Sequence, residues 1–172
     1  MNSFSLFTDA SLNPRRKLGV GAYLLVPSSF MEISPNRIER SAINERLVAR
    51  RFEDTSSTKL EVQTVLYALE DFQNQSKGAG PVRLQVYSDS QCIAALLGRR
   101  QGLEVNRFMS KGKNRQITNA SLYQKFYEFH DELGFEVIKM AGHTQSCSHD
   151  TVQRIFSCVD REVRRLLKSW MG

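Results

Sequence analysis

The sequence predicts an α/β fold: one domain over residues 1–172, with a five-stranded mixed sheet flanked by helices on both faces. Three observations point there. Strand-like runs come first and in succession. Helical and strand-like segments then alternate to the end, which puts helices on the faces of a sheet. A chain of 172 residues, 41% hydrophobic and 24% charged, is long enough to bury one sizeable core.

The elements follow in order. "FSLFTDA" (4–10) alternates and reads as a first strand. "LGVGAYLLVP" (18–27) reads as a second, with glycines where another element packs closely. "FMEIS" (30–34) and "RLVARRFED" (46–54) continue an antiparallel meander, and the polar "SPNRIERSAINE" between them reads as an inserted loop or irregular hairpin end. "KLEVQTVLYALEDFQNQ" (59–75) carries Leu60, Val65, Leu66, Leu69 and Phe72 at helical spacing behind a cap-like "TSST". "SKGAGP" is a break. A buried strand (82–87), a helix (90–98), an amphipathic helix (119–134), a fifth strand (135–141) and a terminal helix (151–169) complete the order. No internal repeat or low-complexity linker interrupts it.

Bulk properties narrow the function. The net charge of +6 permits a polyanionic partner without requiring one. The opening "MNSFSLFTDA" has no basic start, so no secretory leader is expected. No apolar run approaches membrane-spanning length, so no membrane is expected as a partner. Cys92, Cys147 and Cys158 are odd in number and form no CxxC pair. They read as reduced thiols of a cytoplasmic protein.

The chemistry lies in the acids. Asp9 falls late in the first strand, Glu61 early in the first long helix, Asp89 at the tip of strand 82–87, and Asp160 inside the last helix. Ligand sites of α/β sheets gather at strand ends and helix starts. Carboxylates meeting there repel one another unless cations neutralise them. Mg2+ suits that need, because it takes carboxylate oxygens, water and phosphate, and two such ions clamp an in-line phosphoryl displacement. Each acid also has an ordinary structural role available. Glu61 favours a helix dipole, Asp9 suits a turn, and Asp160 sits at pairing distance from Arg164. Asp89 is expected both to cap the helix behind it and to bind metal.

Five stretches in this order resemble type 1 ribonuclease H of the ribonuclease H-like superfamily: "FTDAS", "TSSTKLEVQTVLYALE", "YSDSQ", "AGHT" and "FSCVDREVRRLL". The resemblance runs over about residues 4 to 168. It implies a ribonuclease H-like fold and a metal-dependent endonuclease that hydrolyses the RNA strand of an RNA–DNA hybrid, leaving a 3′-hydroxyl and a 5′-phosphate. It implies two Mg2+ ions with substrate, with Mn2+ as a substitute, and no obligate protein partner. Asp9 would bridge both ions. Glu61 and Asp89 would join it on the leaving-group side, and Asp160 on the water side. His143 would assist proton transfer or product release. Ser11, Asn13, Ser57, Thr58, Gln91 and Tyr123 would face the substrate. Residues 99–117 would be the family's basic protrusion, with Arg107, Lys111, Lys113 and Arg115 on phosphates of the DNA strand.

The sequence departs from the family pattern in four places. Ser57 and Thr58 stand where the family often has asparagines, and hydroxyls have shorter reach. Tyr123 stands for a common Trp. "NPRRKLG" replaces a glycine-rich loop. His143 and Asp160 lie 17 positions apart, so the histidine loop is extended and holds a second candidate, His149. His130 lies on a helix and reads as structural. Arg161, Arg164, Arg165 and Lys168 read as an exposed helix face. Other enzymes of the superfamily fit less well. Ser11 stands where proofreading exonucleases carry Glu in their Asp-x-Glu motif, and Asp160 stands where transposase-type enzymes usually carry Glu. A non-catalytic nucleic-acid-binding module is the alternative from another class, and the presence of all four acids weighs against it.

Overall fold

A computed structural model of the chain describes residues 1–112, 114–141 and 150–172. Strand β1 (Asn2–Asn13) turns back into β2 (Leu18–Pro27), and β3 (Val48–Phe52) extends the antiparallel meander. Strands β4 (Val82–Ser88) and β5 (Glu136–Lys139) then add in parallel on the other side of β1. The sheet is therefore mixed, five-stranded, and ordered β3-β2-β1-β4-β5.

Alternation along β1 divides the molecule into two cores. Successive strand residues face opposite sides of a sheet. Leu6 faces a cluster built with Val65, Leu69, Val86 and Phe126. That cluster lies under α2 (Ser57–Gln75), α3 (Gln91–Val105) and α4 (Ala120–Leu133). Phe7, its neighbour, faces Val20, Leu24, Ile155 and Val159. This second cluster lies under α5 (Thr151–Met171) and the short α1 (Arg40–Arg46), which contributes Ile43. The same parity sends Thr8 toward α2 and Asp9 toward α5.

The expected glycine contacts are present. A Cβ on Gly21 would overlap Thr64 Oγ1 of α2, and one on Gly19 would overlap a Leu60 methyl. These bare backbone positions on β2 let α2 lie close to the sheet, which sets the depth of Glu61 on the same helix.

Three expectations on the elements require correction. "FMEIS" is not a strand: residues Ser28–Glu32 form a 3-10 turn. A short apolar run fits either element, and here Phe30, Met31 and Ile33 pack under α5 instead of pairing in the sheet. The segment expected to be a loop carries a second 3-10 turn, Pro35–Arg37, and then α1. The helix expected over 90–98 continues to Val105, so Arg99 and Arg100 belong to a helix and not to a basic loop. The loop that follows is closed by a bridge between Met109 and Gln116 and pinned by the buried Phe108.

Among the described residues no helix is long and apolar enough to cross a membrane. Cys92 and Cys158 are free thiols. Cys147 lies outside the described residues.

Candidate active site

The four acids converge. Asp9, Glu61, Asp89 and Asp160 line one cleft of about 450 Å³ at the carboxyl ends of β1 and β4. Each arrives by a different local device. Asp9 is carried by β1, paired with Ala22 of β2 and two residues beyond the last β1–β4 pair, Phe7 with Tyr87. Asp89 leaves β4 one residue after its last paired position. Glu61 sits in the second turn of α2. Asp160 is set by the start of α5, where Asp150 and Gln153 form a reciprocal capping box: Gln153 N–H donates to Asp150 Oδ1 at 2.8 Å and Asp150 N–H donates to Gln153 Oε1 at 3.2 Å.

The expected cap at Asp89 falls instead on Ser90. The Ser90 hydroxyl oxygen accepts from Ile93 N–H at 3.2 Å, and the same hydroxyl donates to Glu61 Oε2 at 2.6 Å. One side chain therefore starts α3 and holds the carboxylate that α2 brings in. Ser88 supports it from below, its oxygen accepting from Ser90 N–H at 3.1 Å. Asp89 is thereby relieved of capping and left on the cleft wall.

The electrostatics of the cleft are costly. Asp9 is 9% exposed, and its Oδ2 is buried without a hydrogen-bond partner. Burial pushes its carboxyl well above the usual range, and the charges of Asp89 and Asp160 push it the same way. Glu61 is also raised, first by burial and then by Asp89, while the Ser90 hydrogen bond works against the rise. An unsatisfied buried oxygen costs about 1–3 kcal/mol. The arrangement is thus poor for stability and well suited to binding a cation.

The donor set fits a hard divalent ion, because every donor is a carboxylate or hydroxyl oxygen. Among the described residues no three acidic, His or Cys side chains are gathered tightly enough to enclose one ion by themselves. The fit is to ions whose shells water and phosphate oxygens complete beside these carboxylates. Arg164 donates to Asp160 Oδ1 at 3.2 Å across one helical turn. Such an exposed pair contributes about 0.3–0.5 kcal/mol, too little to hold Asp160 against a divalent cation.

The other expected residues separate into groups. Ser11 lines the cleft. Asn13 does not: its Oδ1 accepts from Arg16 N–H at 3.1 Å and shapes the β1–β2 turn. Ser57 and Thr58 open α2, and Gln91 opens α3 with its side chain exposed. Tyr123 is buried in the core between α3 and α4, 5% exposed, beneath the Arg99 guanidinium. As placed, it offers no open ring face to a base. Arg107, Lys111 and Arg115 are exposed on the loop after α3. Arg100 is not available to a ligand, since it is bound to both carboxylate oxygens of Asp131 (2.6 and 2.8 Å) and to Glu104 (2.6 Å). Lys113, His143 and His149 lie outside the described residues. His130 packs edge-on against Phe135, as a structural residue would. Sequence reasoning missed Ser88, Ser90 and Thr64 in the cleft wall. The serines flanking Asp89 in "SDSQ" are the signal that could have found the first two.

The RNase H family profile matches residues 1–154. The chain belongs to the RNase H family. Most of α5, including Asp160, lies beyond the matched residues, so the place of the fourth acid rests on the cleft itself. Among solved structures, the foamy viral protease-reverse transcriptase in complex with dsDNA aligns with a TM-score of 0.56 at 13% identity, covering 90% of each chain. LC11-RNase H1 in complex with an RNA/DNA hybrid aligns with a TM-score of 0.55 at 14% identity, covering 81% of this chain and 86% of that one. At such identities the likeness is one of fold. No curated protein sequence matches the chain. RNase H enzymes generally use divalent metal ions.

Proposed function

We propose that the chain is a metal-dependent endonuclease that hydrolyses the RNA strand of RNA–DNA hybrids by a two-metal mechanism. The observation that carries this reading is Asp9: a buried carboxylate with one oxygen unpartnered, held against Asp89 and Asp160 in the cleft that also takes Glu61. Membership of the RNase H family and a fold shared with hybrid-bound RNase H1 support it.

Asp9 is assigned to both ions, Glu61 and Asp89 to one, and Asp160 to the other. Two Mg2+ ions, or Mn2+ in their place, would favour ionisation of the attacking water and stabilise the leaving oxygen. The protein's own residues set the stage. The Ser90 hydroxyl holds the Glu61 carboxylate in one orientation. Burial keeps bulk water from Asp9. The guanidinium of Arg164 stands at the cleft wall, where a phosphate would meet it. His143, which precedes α5 in the chain, is assigned proton transfer or product release. Ser11 and the hydroxyls of Ser57 and Thr58 are assigned to the hybrid, and Arg107, Lys111, Lys113 and Arg115 to its phosphates. Reduced cysteines fit action in the cytoplasm.

A second reading, a nucleic-acid-binding module without catalysis, draws on one observation: Arg164 already occupies Asp160. That pair is too weak to exclude a divalent ion, as its magnitude indicates.

Cleavage of a labelled RNA–DNA hybrid beside RNA–RNA and DNA–DNA duplexes, in Mg2+, tests the assignment. The expected result is cleavage of the hybrid's RNA strand alone, with 5′-phosphate ends. Equal cleavage of DNA–DNA would overturn the substrate. Binding of the hybrid with no cleavage in Mg2+ or Mn2+ would favour the second reading.

A further inference from the structure

A second groove begins where the catalytic cleft ends. It has a volume of about 680 Å³ and lies between the β1–β2 turn and the last turn of α5. Leu12, Pro14, Leu167 and Met171 form its apolar floor, and Arg15 and Lys168 stand at its rim. Leu12 lines both the cleft and the groove. On α5, Arg164 belongs to the cleft and Lys168, one turn further along the same face, belongs to the groove. The two hollows are therefore consecutive along one track.

The groove is built, not incidental. Asn13 ties the turn to the helix end, its side-chain amide donating to Met171 Sδ at 3.2 Å. Arg51 of β3 stacks over Trp170 at 4.6 Å and steadies the last turn of α5 from the other side. Arg15, Arg16 and Lys168 are exposed, and no ion pair is formed by Arg15 or Lys168 among the described residues.

We infer that this groove is an extension of the substrate site, taking the nucleic-acid strand as it leaves the cleft, with its sugars on the apolar floor and its phosphates on Arg15 and Lys168. The inference rests on the nuclease reading for the direction of the track. Its occupant is fixed by two features: continuity with a cleft suited to a phosphodiester, and a cationic rim over an apolar floor, which matches the alternation of phosphate and sugar. The groove lies against the last turn of α5, whereas the basic loop after α3 packs on α4 through Phe108. The two surfaces therefore hold different stretches of the hybrid.

The test is binding measured by fluorescence anisotropy in EDTA, so that cleavage plays no part. The probes are a long hybrid and hybrids shortened from either end. The proteins are wild type, Arg15→Ala/Lys168→Ala, and Arg83→Ala as a control for loss of surface charge away from the track. With two phosphates no longer neutralised, binding of the long hybrid should weaken about tenfold at low salt and the log–log salt dependence should flatten by about 1.8. The deficit should vanish for hybrids shortened from one particular end, and Arg83→Ala should bind as wild type. Equal affinities and salt slopes for the double variant and wild type overturn the groove. So does an equal deficit for every hybrid length. Cleavage by wild type with an unaffected double variant would leave the nuclease reading standing without the groove. A length-dependent deficit in a protein that never cleaves would leave the groove standing without the nuclease.

Discussion

At the scale of single residues, Asp9 carries the largest electrostatic cost, and its sign is testable. Its carboxyl is raised in the folded state, so the folded protein binds that proton more tightly than the unfolded chain does. Its contribution to stability is therefore present in acid and lost as pH rises above the unfolded value of about 3.9. Asp9→Asn should raise the melting temperature in metal-free buffer near neutral pH, with about 2–4 °C for each ~1 kcal/mol of strain relieved. It should also flatten the decline in stability between mild acid and neutral pH. Mg2+ should stabilise the wild type and not the variant. Thermal melts across pH, with and without Mg2+, decide this. A variant less stable than wild type in EDTA at neutral pH would mean that Asp9 serves the fold. The residue types at this site are legible in the sequence because hard-ion chemistry admits few alternatives to carboxylates at element ends. The division of labour between Asp89 and Ser90 is not. Both are favoured N-caps, and only the backbone geometry after β4 decides which one caps. Tyr123 misleads for a similar reason: an aromatic residue at a helix start does not reveal which way it faces.

At the scale of elements, the site depends on how α2 and α3 meet. Ser90 joins them, capping α3 and bonding Glu61 of α2. Ser90→Ala should cost about 0.5–2 kcal/mol through removal of the cap, measured by denaturant unfolding. It should also slow cleavage at saturating hybrid, because Glu61 loses the hydroxyl that orients it. Ser90→Thr, which keeps both roles, should restore most of each. Loss of stability with unchanged turnover would separate the cap from the site. The glycines of β2 signal a close approach in the sequence alone, since absent side chains in a strand leave few other uses. The segment 28–47 gives no such signal, because its apolar residues are few and its structure answers to α5. Arg100 reads as a cation open to a ligand because Asp131, its partner, lies on another helix, far along the sequence.

At the scale of the whole molecule, binding should divide between two faces. The loop after α3 keeps Arg107, Lys111 and Arg115 exposed, and its anchor at Phe108 holds it against α3 and α4. Neutralising Lys111, Lys113 and Arg115 together should raise KM at moderate salt and flatten the salt slope by about 0.9 for each phosphate left without its cation. Turnover at saturating hybrid should stay nearly unchanged, because such cations bind ground and transition states alike. Unchanged KM and salt slope would return the loop to a solvated surface. The fold itself is legible from element order, since early strands followed by alternating helices and strands leave few arrangements. The cleft follows from it, because acids at the ends of β1 and β4 and on α2 and α5 have one place to meet. The central claim is that these acids hold the metal that drives hydrolysis. The most direct measurement is the rate of hybrid cleavage against Mg2+ concentration for wild type and Asp89→Asn. The account predicts a saturable, Mg2+-dependent rate for the wild type and a fall of about 100-fold or more for the variant, with hybrid binding in EDTA retained. An Asp89→Asn protein that cleaves at the wild-type rate, or a wild type whose cleavage persists in EDTA, would contradict it.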